Sequence, residues 1–383
     1  MLPLPPLLPI TSVRGPGPLS GQLHRFGDAG FPVVQFRGKP LGAADQWAEL
    51  QRGLQASREA GGWPLIILND RADLAVLAAR EGLTPWGLHL GQEDLPLEAA
   101  RRLPGLGGLR FGTSTHHPGE WERATECDYA GVGPVRGTPT KPDHATPIGI
   151  AGLRLGSQAL RSRGISPVAI GGLGPEDAGP CFEAGAESLA MVSALAEAGD
   201  PSEILWESQV LRWRRFPPFR RGQGIVLAGS SGAGKSSLGV ELARTLALPF
   251  LDLDQLIVLR SGKGIPRIFA EQGEAAFRAL EERLAQEAVE KPCVLALGGG
   301  AWESPGLRAR VASSGFSTLW LAETPMRCWA RVAEDPGRPL AREREIFLDR
   351  HRARILQWSL LPCILPLGRS PGELAGALAA ALD

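Results

Sequence analysis

Long apolar runs, paired cysteines and lysine are what this sequence has least of. No apolar stretch reaches the roughly 20 residues of a bilayer crossing. Met1 to Ile10 is apolar but broken by prolines and lacks a basic lead, so neither a membrane anchor nor a signal peptide is expected. The five cysteines, Cys127, Cys181, Cys293, Cys328 and Cys363, are odd in number and widely spaced, with no C-x-x-C pair. That argues against a disulfide framework or a metal cluster and predicts buried, reduced thiols in a cytoplasmic protein. With 41 basic residues balancing 41 acidic ones, no broad field of one sign is available to attract nucleic acid or a membrane surface. Lysine supplies only Lys39, Lys141, Lys235, Lys263 and Lys291 of the basic set. The first three fall inside phosphate-gripping motifs, where a compact ammonium serves better than a planar fork.

What is present is two such motif sets in one chain. At 383 residues the chain exceeds a single ordinary core. We expect two domains, residues 1–215 and 224–383, joined by a linker at 216–223 that is rich in proline, glycine and arginine. The arginines between Arg212 and Arg221 read as a solvated junction rather than a nucleic-acid patch. In the first domain, eight short apolar runs each precede a helix-like stretch: Leu7–Thr11, Pro32–Arg37, Pro64–Asp70, Trp86–Gly91, Leu109–Thr115, Asp128–Val135, Pro167–Gly172 and Ser188–Ala194. Eight is the strand count of a (β/α)8 barrel, and nearly every run ends in polar or glycine residues that would converge on the catalytic face. Asp200-Pro201 reads as the cap and first residue of a final helix through about Arg215.

The second domain begins with a strand, Ile225–Ala228, and the loop Gly229, Ser230, Ser231, Gly232, Ala233, Gly234, Lys235, Ser236, Ser237. This is a P-loop pattern, whose bare amides can surround the phosphates of a nucleoside triphosphate while the lysine and the hydroxyl of Ser236 reach the terminal phosphate and its magnesium. Further strands are expected at Phe250–Asp254, Val294–Leu297, Thr318–Leu321 and Cys363–Leu365, giving a parallel sheet wrapped by helices. Asp252 and Asp254, at the end of the second strand, would both emerge near the phosphates, one toward magnesium and one toward an acceptor hydroxyl. Arg278 and the Gly298 to Gly300 run would face the same cleft.

In the barrel, Asp70 and Asp94 can hold a hard divalent cation bridging a diphosphate, with Arg37, Lys39 and Lys141 as cationic donors. A second phosphate position after the seventh and eighth strands, at Gly171-Gly172 and Val192-Ser193, suggests a phosphate-monoester co-substrate. His89 reads as a strand-end histidine bonding its neighbours, not as a base.

These residues resemble two known families. Gly229 to Ser236, Asp252-Leu-Asp254, Phe277-Arg278, Leu297 to Ala301, Gly337-Arg338-Pro-Leu340 and Arg352 resemble shikimate kinase across 224–383. The resemblance implies that Asp254 binds the acceptor diol and takes its proton. It also implies that Arg278 and Arg352 hold the shikimate carboxylate, that Gly299 and Gly300 belong to the shikimate site, that Arg338 neutralises the moving phosphoryl group, and that Arg331 lies near the adenine. The sequence departs from the family after Arg352, where Arg354 and Leu356 stand at the usual proline and tyrosine positions. Gln35 to Lys39, Asn69-Asp70, His89 to Asp94, Gly112 to Ser114, Gly131 to Pro134, Thr138 to Lys141 and Ile170 to Gly172 resemble thiamine-phosphate synthase over about 1–200. That resemblance implies a hydroxymethylpyrimidine diphosphate held by Gln35, Arg37, Lys39, Asn69 and Lys141, with magnesium on Asp70 and Asp94 and the pyrimidine against Ser114. The thiazole phosphate would lie on Thr138, Thr140, Gly172, Val192 and Ser193. Thr11-Ser12 departs from the family's acidic residue at that place. The reading is a bifunctional transferase using small-molecule substrates. Its rivals are a kinase for another small metabolite and an active kinase carried by a non-catalytic or thiazole-tautomerase-like barrel, which retention of both aspartates and the Arg37/Lys39 pair disfavours.

Overall fold

The computed structural model describes residues 1–137, 145–335 and 342–382. They form two compact units, Met1–Arg215 and Phe216–Asp383. Thr138, Thr140, Lys141 and Arg338 lie outside the described residues.

Among the described residues of the first unit, eight strands run parallel: β1 (Leu7–Pro9), β2 (Val33–Phe36), β3 (Leu65–Asn69), β4 (Gly87–Leu90), β5 (Arg110–Thr115), β6 (Tyr129–Val132), β7 (Ser166–Ile170) and β8 (Ser188–Met191). Their order is β1-β8-β7-β6-β5-β4-β3-β2. The remaining seam, between β1 and β2, is drawn together by one bridge, Ile10 to Gln35. There the Thr11 N–H donates to the Gln35 carbonyl at 2.9 Å, and the Arg37 N–H donates to Thr11 Oγ1 at 2.9 Å. The barrel is therefore nearly closed. β1, β2, β4, β6 and β8 are buried at every position, as expected where side chains fill the interior and helices cover the outside.

The sequence pattern places the strands correctly and overruns their ends. The last run continues to Ala194 as an expected strand, yet β8 stops at Met191 and Ser193–Ala196 is a short helix. Val192, at φ −111° and ψ −86°, takes the chain out of the extended conformation. The final helix of the unit is Pro201–Arg215, and the Asp200 carboxylate accepts from the Ser202 N–H at 2.9 Å and its hydroxyl at 2.6 Å, the capping arrangement predicted. The Thr11-Ser12 departure has a structural role. The Thr11 hydroxyl rivets the seam, and Ser12 exchanges hydrogen bonds of 3.0 and 2.8 Å with the buried Gln22 amide.

In the second unit the strands are β9 (Ile225–Ala228), β10 (Phe250–Asp252), β11 (Val294–Ala296), β12 (Ser317–Leu321) and β13 (Cys363–Ile364). They form a parallel sheet in the order β10-β11-β9-β12-β13. The P-loop strand β9 is thus central, and all four of its residues are buried. β10 ends at Asp252, two residues before the expected Asp254, because Asp252 caps the helix Leu253–Ser261 by accepting from the Gln255 N–H at 3.2 Å. The stretch expected as the linker makes contacts within this unit. Phe219 is buried, and Gln223 bonds the Gly315 carbonyl at 2.5 Å and the Ser317 hydroxyl at 3.0 Å. All five cysteines are free, four of them buried and Cys127 half-buried. Burial pushes the Cys328 thiol up to about 12 and the Cys127 thiol up to about 11, so these are unreactive packing residues.

Candidate active sites

The P-loop closes only because glycine stands where it does. Gly229, Gly232 and Gly234 have φ of 137°, 80° and 97°, conformations that side chains disfavour. A Cβ on Gly232 would also lie 2.2 Å from the Cys328 carbonyl oxygen. Lys235 opens the helix Lys235–Leu246. Its buried ammonium folds back over the loop, donating to the carbonyls of Gly229 at 3.0 Å and Ser230 at 2.8 Å. Ser236 Oγ donates to Asp252 Oδ2 at 2.5 Å, so the two groups expected at magnesium already touch. Arg331 bonds the Gly232 carbonyl at 3.0 Å and the buried Glu323 carboxylate at 3.0 Å, which fixes it against the loop.

Beside the loop lies a cavity of about 130 Å³ whose lining includes Ser231, Asp254, Arg278, Gly299 and Gly300. The glycine run is required here for space rather than for φ. A Cβ on Gly298 would come within 2.7 Å of Glu281 Oε1 and 2.9 Å of Asp254 Oδ1, and one on Gly300 within 2.8 Å of both Arg278 Nη1 and Arg354 Nη2. Acid and guanidinium groups therefore converge across bare backbone. Arg278 donates to Glu281 Oε2 at 2.7 Å and to Glu274 Oε1 at 3.1 Å. Although burial pulls its guanidinium down, the charges of Glu281 and Glu274 hold the pKa above its ordinary value. Burial pushes the Glu281 carboxyl up, and Asp254 adds to that.

Sequence reasoning missed Glu281, which lines the cavity, and set Arg350 and Arg354, which line it too, behind their neighbour Arg352. It chose Arg352, which does not. On the helix Arg344–Trp358, positions 350 and 354 are one turn apart on one face, and 352 is rotated about 200° away. Arg352 pairs with Asp349 at 2.6 Å instead. The available signals were the i, i+3 spacing of Arg278 and Glu281 and the buried positions Phe347, His351, Ile355 and Trp358. Those buried positions mark the inward face, which Arg350 and Arg354 flank.

In the barrel, Gln35, Asn69 and Asp70 stand at or just after the carboxyl ends of their strands, with Lys39 and Asp94 in the loops that follow. Gln35 Nε2 donates to Asn69 Oδ1 at 2.7 Å, and Lys39 Nζ pairs with Asp70 Oδ2 at 2.6 Å. Asp70 takes a left-handed φ of 65°, with its N–H on the His89 carbonyl at 2.8 Å. Asp94 accepts from the Gly91 N–H at 2.7 Å. Burial, followed by the proximity of Asp70, raises the Asp94 pKa above its ordinary value, while burial lowers that of Arg37 in spite of Asp70. Two carboxylates pressed together in this way are relieved by a divalent cation, and their all-oxygen character suits magnesium. His89 bonds Tyr129 at 3.2 Å and Ser114 Oγ at 2.9 Å, and Gln92 Nε2 donates to the Ser114 carbonyl at 2.5 Å. The histidine thus braces the floor on which Ser114 sits. Gly171 and Gly172 have φ of 103° and 62°, and a Cβ on Gly172 would lie 2.3 Å from the Gly137 carbonyl oxygen. The loops after β6 and β7 therefore press together there, while Ser193 is exposed at the start of its short helix.

Comparison with known proteins matches this division. Residues 10–195 match the family model Thiamine monophosphate synthase, and residues 231–357 match the family model Shikimate kinase. A thiamine-phosphate synthase from Laribacter hongkongensis is 38% identical over 48% of this chain and 82% of its own length. Among solved structures, a thiamine phosphate pyrophosphorylase from Pyrococcus furiosus is 27% identical over 55% of this chain and 96% of its own, with a TM-score of 0.45. A shikimate kinase from Acinetobacter baumannii in complex with shikimate is 30% identical over 43% of this chain and 93% of its own, with a TM-score of 0.39. The chain belongs to the thiamine-phosphate synthase family through its first unit, and residues 231–357 of its second unit match the shikimate kinase family model.

Proposed function

We propose that the protein is a bifunctional transferase that phosphorylates shikimate with ATP in its second unit and joins hydroxymethylpyrimidine diphosphate to thiazole phosphate in its first. For the kinase, the observation that carries the reading is the cavity in which Asp254, Arg278 and Arg354 meet beside the P-loop. The P-loop amides and the Lys235 ammonium grip the triphosphate, which requires Lys235 to leave the Gly229 and Ser230 carbonyls. Ser236 and Asp252 would hold magnesium, which supplies charge neutralisation on the phosphates. Arg278 and Arg354 clamp the acceptor carboxylate and so aim its hydroxyl. Asp254 accepts the hydroxyl proton as the new P–O bond forms and the bond to the departing nucleoside diphosphate breaks. In this reading Arg354 replaces Arg352 as the second carboxylate anchor.

In the barrel, Gln35, Arg37, Lys39 and Asn69 would bind the diphosphate, and Asp70 and Asp94 would hold magnesium, which supplies charge neutralisation on the leaving group. The pyrimidine C–O bond breaks, the thiazole nitrogen forms the new C–N bond, and diphosphate departs. Ser114, held by His89 and Gln92, orients the pyrimidine, and Gly172, Val192 and Ser193 flank the thiazole phosphate. No covalent nucleophile is needed, because orientation and charge stabilisation suffice. The clustered acids Asp70 and Asp94 with Lys39 support a catalytic barrel over a merely binding one.

The test is one preparation of the full chain assayed for both products with magnesium and each substrate pair. Formation of shikimate 3-phosphate and thiamine phosphate is expected. Kinase activity without thiamine phosphate would leave the barrel as a binding module, and phosphorylation of another acceptor in place of shikimate would overturn the kinase assignment.

A further inference from the structure

Behind the P-loop stands a buried acid that neither proposed reaction uses. Glu323 lies two residues past β12, the strand paired with β9, and its side chain is 3% exposed. One carboxylate oxygen accepts from the Thr324 N–H at 2.9 Å, with Arg327 Nη1 3.6 Å away, and the other accepts from Arg331 Nη2 at 3.0 Å. A carboxylate buried beside a loop suited to anions is unfavourable unless it is paired. What it holds is the arginine next to that loop.

Arg331 is anchored at both tips of its fork. Nη1 donates to the Gly232 carbonyl of the P-loop at 3.0 Å and Nη2 to Glu323, while half of the side chain stays exposed. The frame behind it is stiff. Arg331 lies in the last turn of the helix Pro325–Val332, whose cap residue is Thr324, and the Cys328 carbonyl of that helix presses on Gly232, where a Cβ would come within 2.2 Å of it. The end of β12 presses on the loop as well, since a Cβ on Gly229 would lie 2.8 Å from the Leu321 carbonyl oxygen. An unanchored arginine would lose much rotamer freedom on meeting a ligand, whereas a plane fixed in advance loses little.

We propose that Glu323 is a positioning residue of the nucleotide site: acting through Arg331, it makes that guanidinium a fixed shelf beside the P-loop whose open face takes the planar base of the nucleotide. This rests on the nucleotide reading above. Two of the three guanidinium nitrogens are already bonded to protein, so the shelf offers the base a flat charged surface for stacking. Neutralising the acid releases the shelf and leaves the loop amides, Lys235 and the acceptor cavity in place.

Calorimetric titration of the full chain tests this with magnesium ADP and with magnesium tripolyphosphate, which has the phosphates but no base. The proteins are wild type, Glu323→Gln, Arg331→Met, their double variant and Arg331→Lys, with circular dichroism confirming that each is folded. ADP binding is expected to weaken about tenfold in Glu323→Gln and at least as much in Arg331→Met, with the double variant within about twofold of Arg331→Met and tripolyphosphate within about twofold of wild type throughout. Arg331→Lys keeps the charge but cannot bridge Gly232 and Glu323, and is expected to bind ADP as poorly as Arg331→Met, a test that does not depend on the folding of Glu323→Gln. In steady state the KM for ATP is expected to rise in Glu323→Gln while kcat and the acceptor KM hold. Unchanged ADP affinity in folded Glu323→Gln, wild-type affinity in Arg331→Lys, equal weakening of both probes, or losses that multiply in the double variant overturn the inference and leave the nucleotide reading standing. If wild type binds neither ADP nor ATP, both fall.

Discussion

On the proposed reading the two units face one problem, gripping a polyphosphate, and solve it oppositely. In the second unit the grip is one contiguous loop, made of backbone and presented by the central strand β9, and its lysine is parked on the loop's own carbonyls. In the first unit it is assembled from side chains on separate strand ends, Gln35 against Asn69 and Lys39 against Asp70, each braced by its neighbour around the barrel. A backbone grip is set by local conformation and survives most side-chain changes outside its glycines. A side-chain grip depends on register, so each member matters singly.

The largest expected effect breaks this comparison along the chain. Asp70→Ala or Asp94→Ala is expected to cut thiamine-phosphate formation on the order of 100- to 1000-fold while leaving shikimate phosphorylation intact, and Lys235→Ala to do the reverse. Loss of both activities from either change, in paired product assays, would contradict two independent sites. Next, Arg278→Ala removes the partner of the buried Glu281 and is expected to cost about 2–5 kcal/mol of acceptor binding, read as a rise in KM for the acceptor. A smaller effect concerns pH. Burial and the neighbouring Asp70 raise the Asp94 pKa above the ordinary 3.8, so as pH falls Asp94 takes up its proton earlier than a free aspartate and competes with the metal. Magnesium affinity of the barrel is then expected to weaken from a higher pH than ordinary carboxylates give, and Asp70→Asn to move the Asp94 titration, followed by carboxyl NMR, downward. An unmoved titration would mean that the two acids do not interact. The smallest effect lies outside the residues assigned to either site. Ser370 caps the helix Pro371–Ala380, accepting from the Glu373 N–H at 3.2 Å, and Ser370→Ala is expected to cost about 1 kcal/mol in denaturant unfolding of the second unit with both activities retained.

The same contrast explains what could be read in advance. The P-loop and the Asp252 pair were legible because their chemistry is local, and the barrel strands because buried parallel strands appear as apolar runs. Strand ends were not, since the run through Asp254 carries no mark to show that Asp252 prefers to cap a helix. The choice among Arg350, Arg352 and Arg354 was not legible for a related reason: only the rotation of the helix decides which line the cavity, and that rotation is set by Phe347, His351, Ile355 and Trp358 burying themselves. Glu281 was missed because a buried acid one turn from an arginine looks like an ordinary surface pair.

The clasp at Thr11 and Gln35 carries a consequence for the barrel as a mechanical object. β1 and β2 are joined by a single bridge, and the residues beside that gap, Gln35 and Arg37, are the ones that would face an incoming diphosphate. An anion held by both would cinch the hoop at its loosest point, so amide protons of Thr11 and Arg37 are expected to exchange with deuterium more slowly once pyrophosphate and magnesium are added.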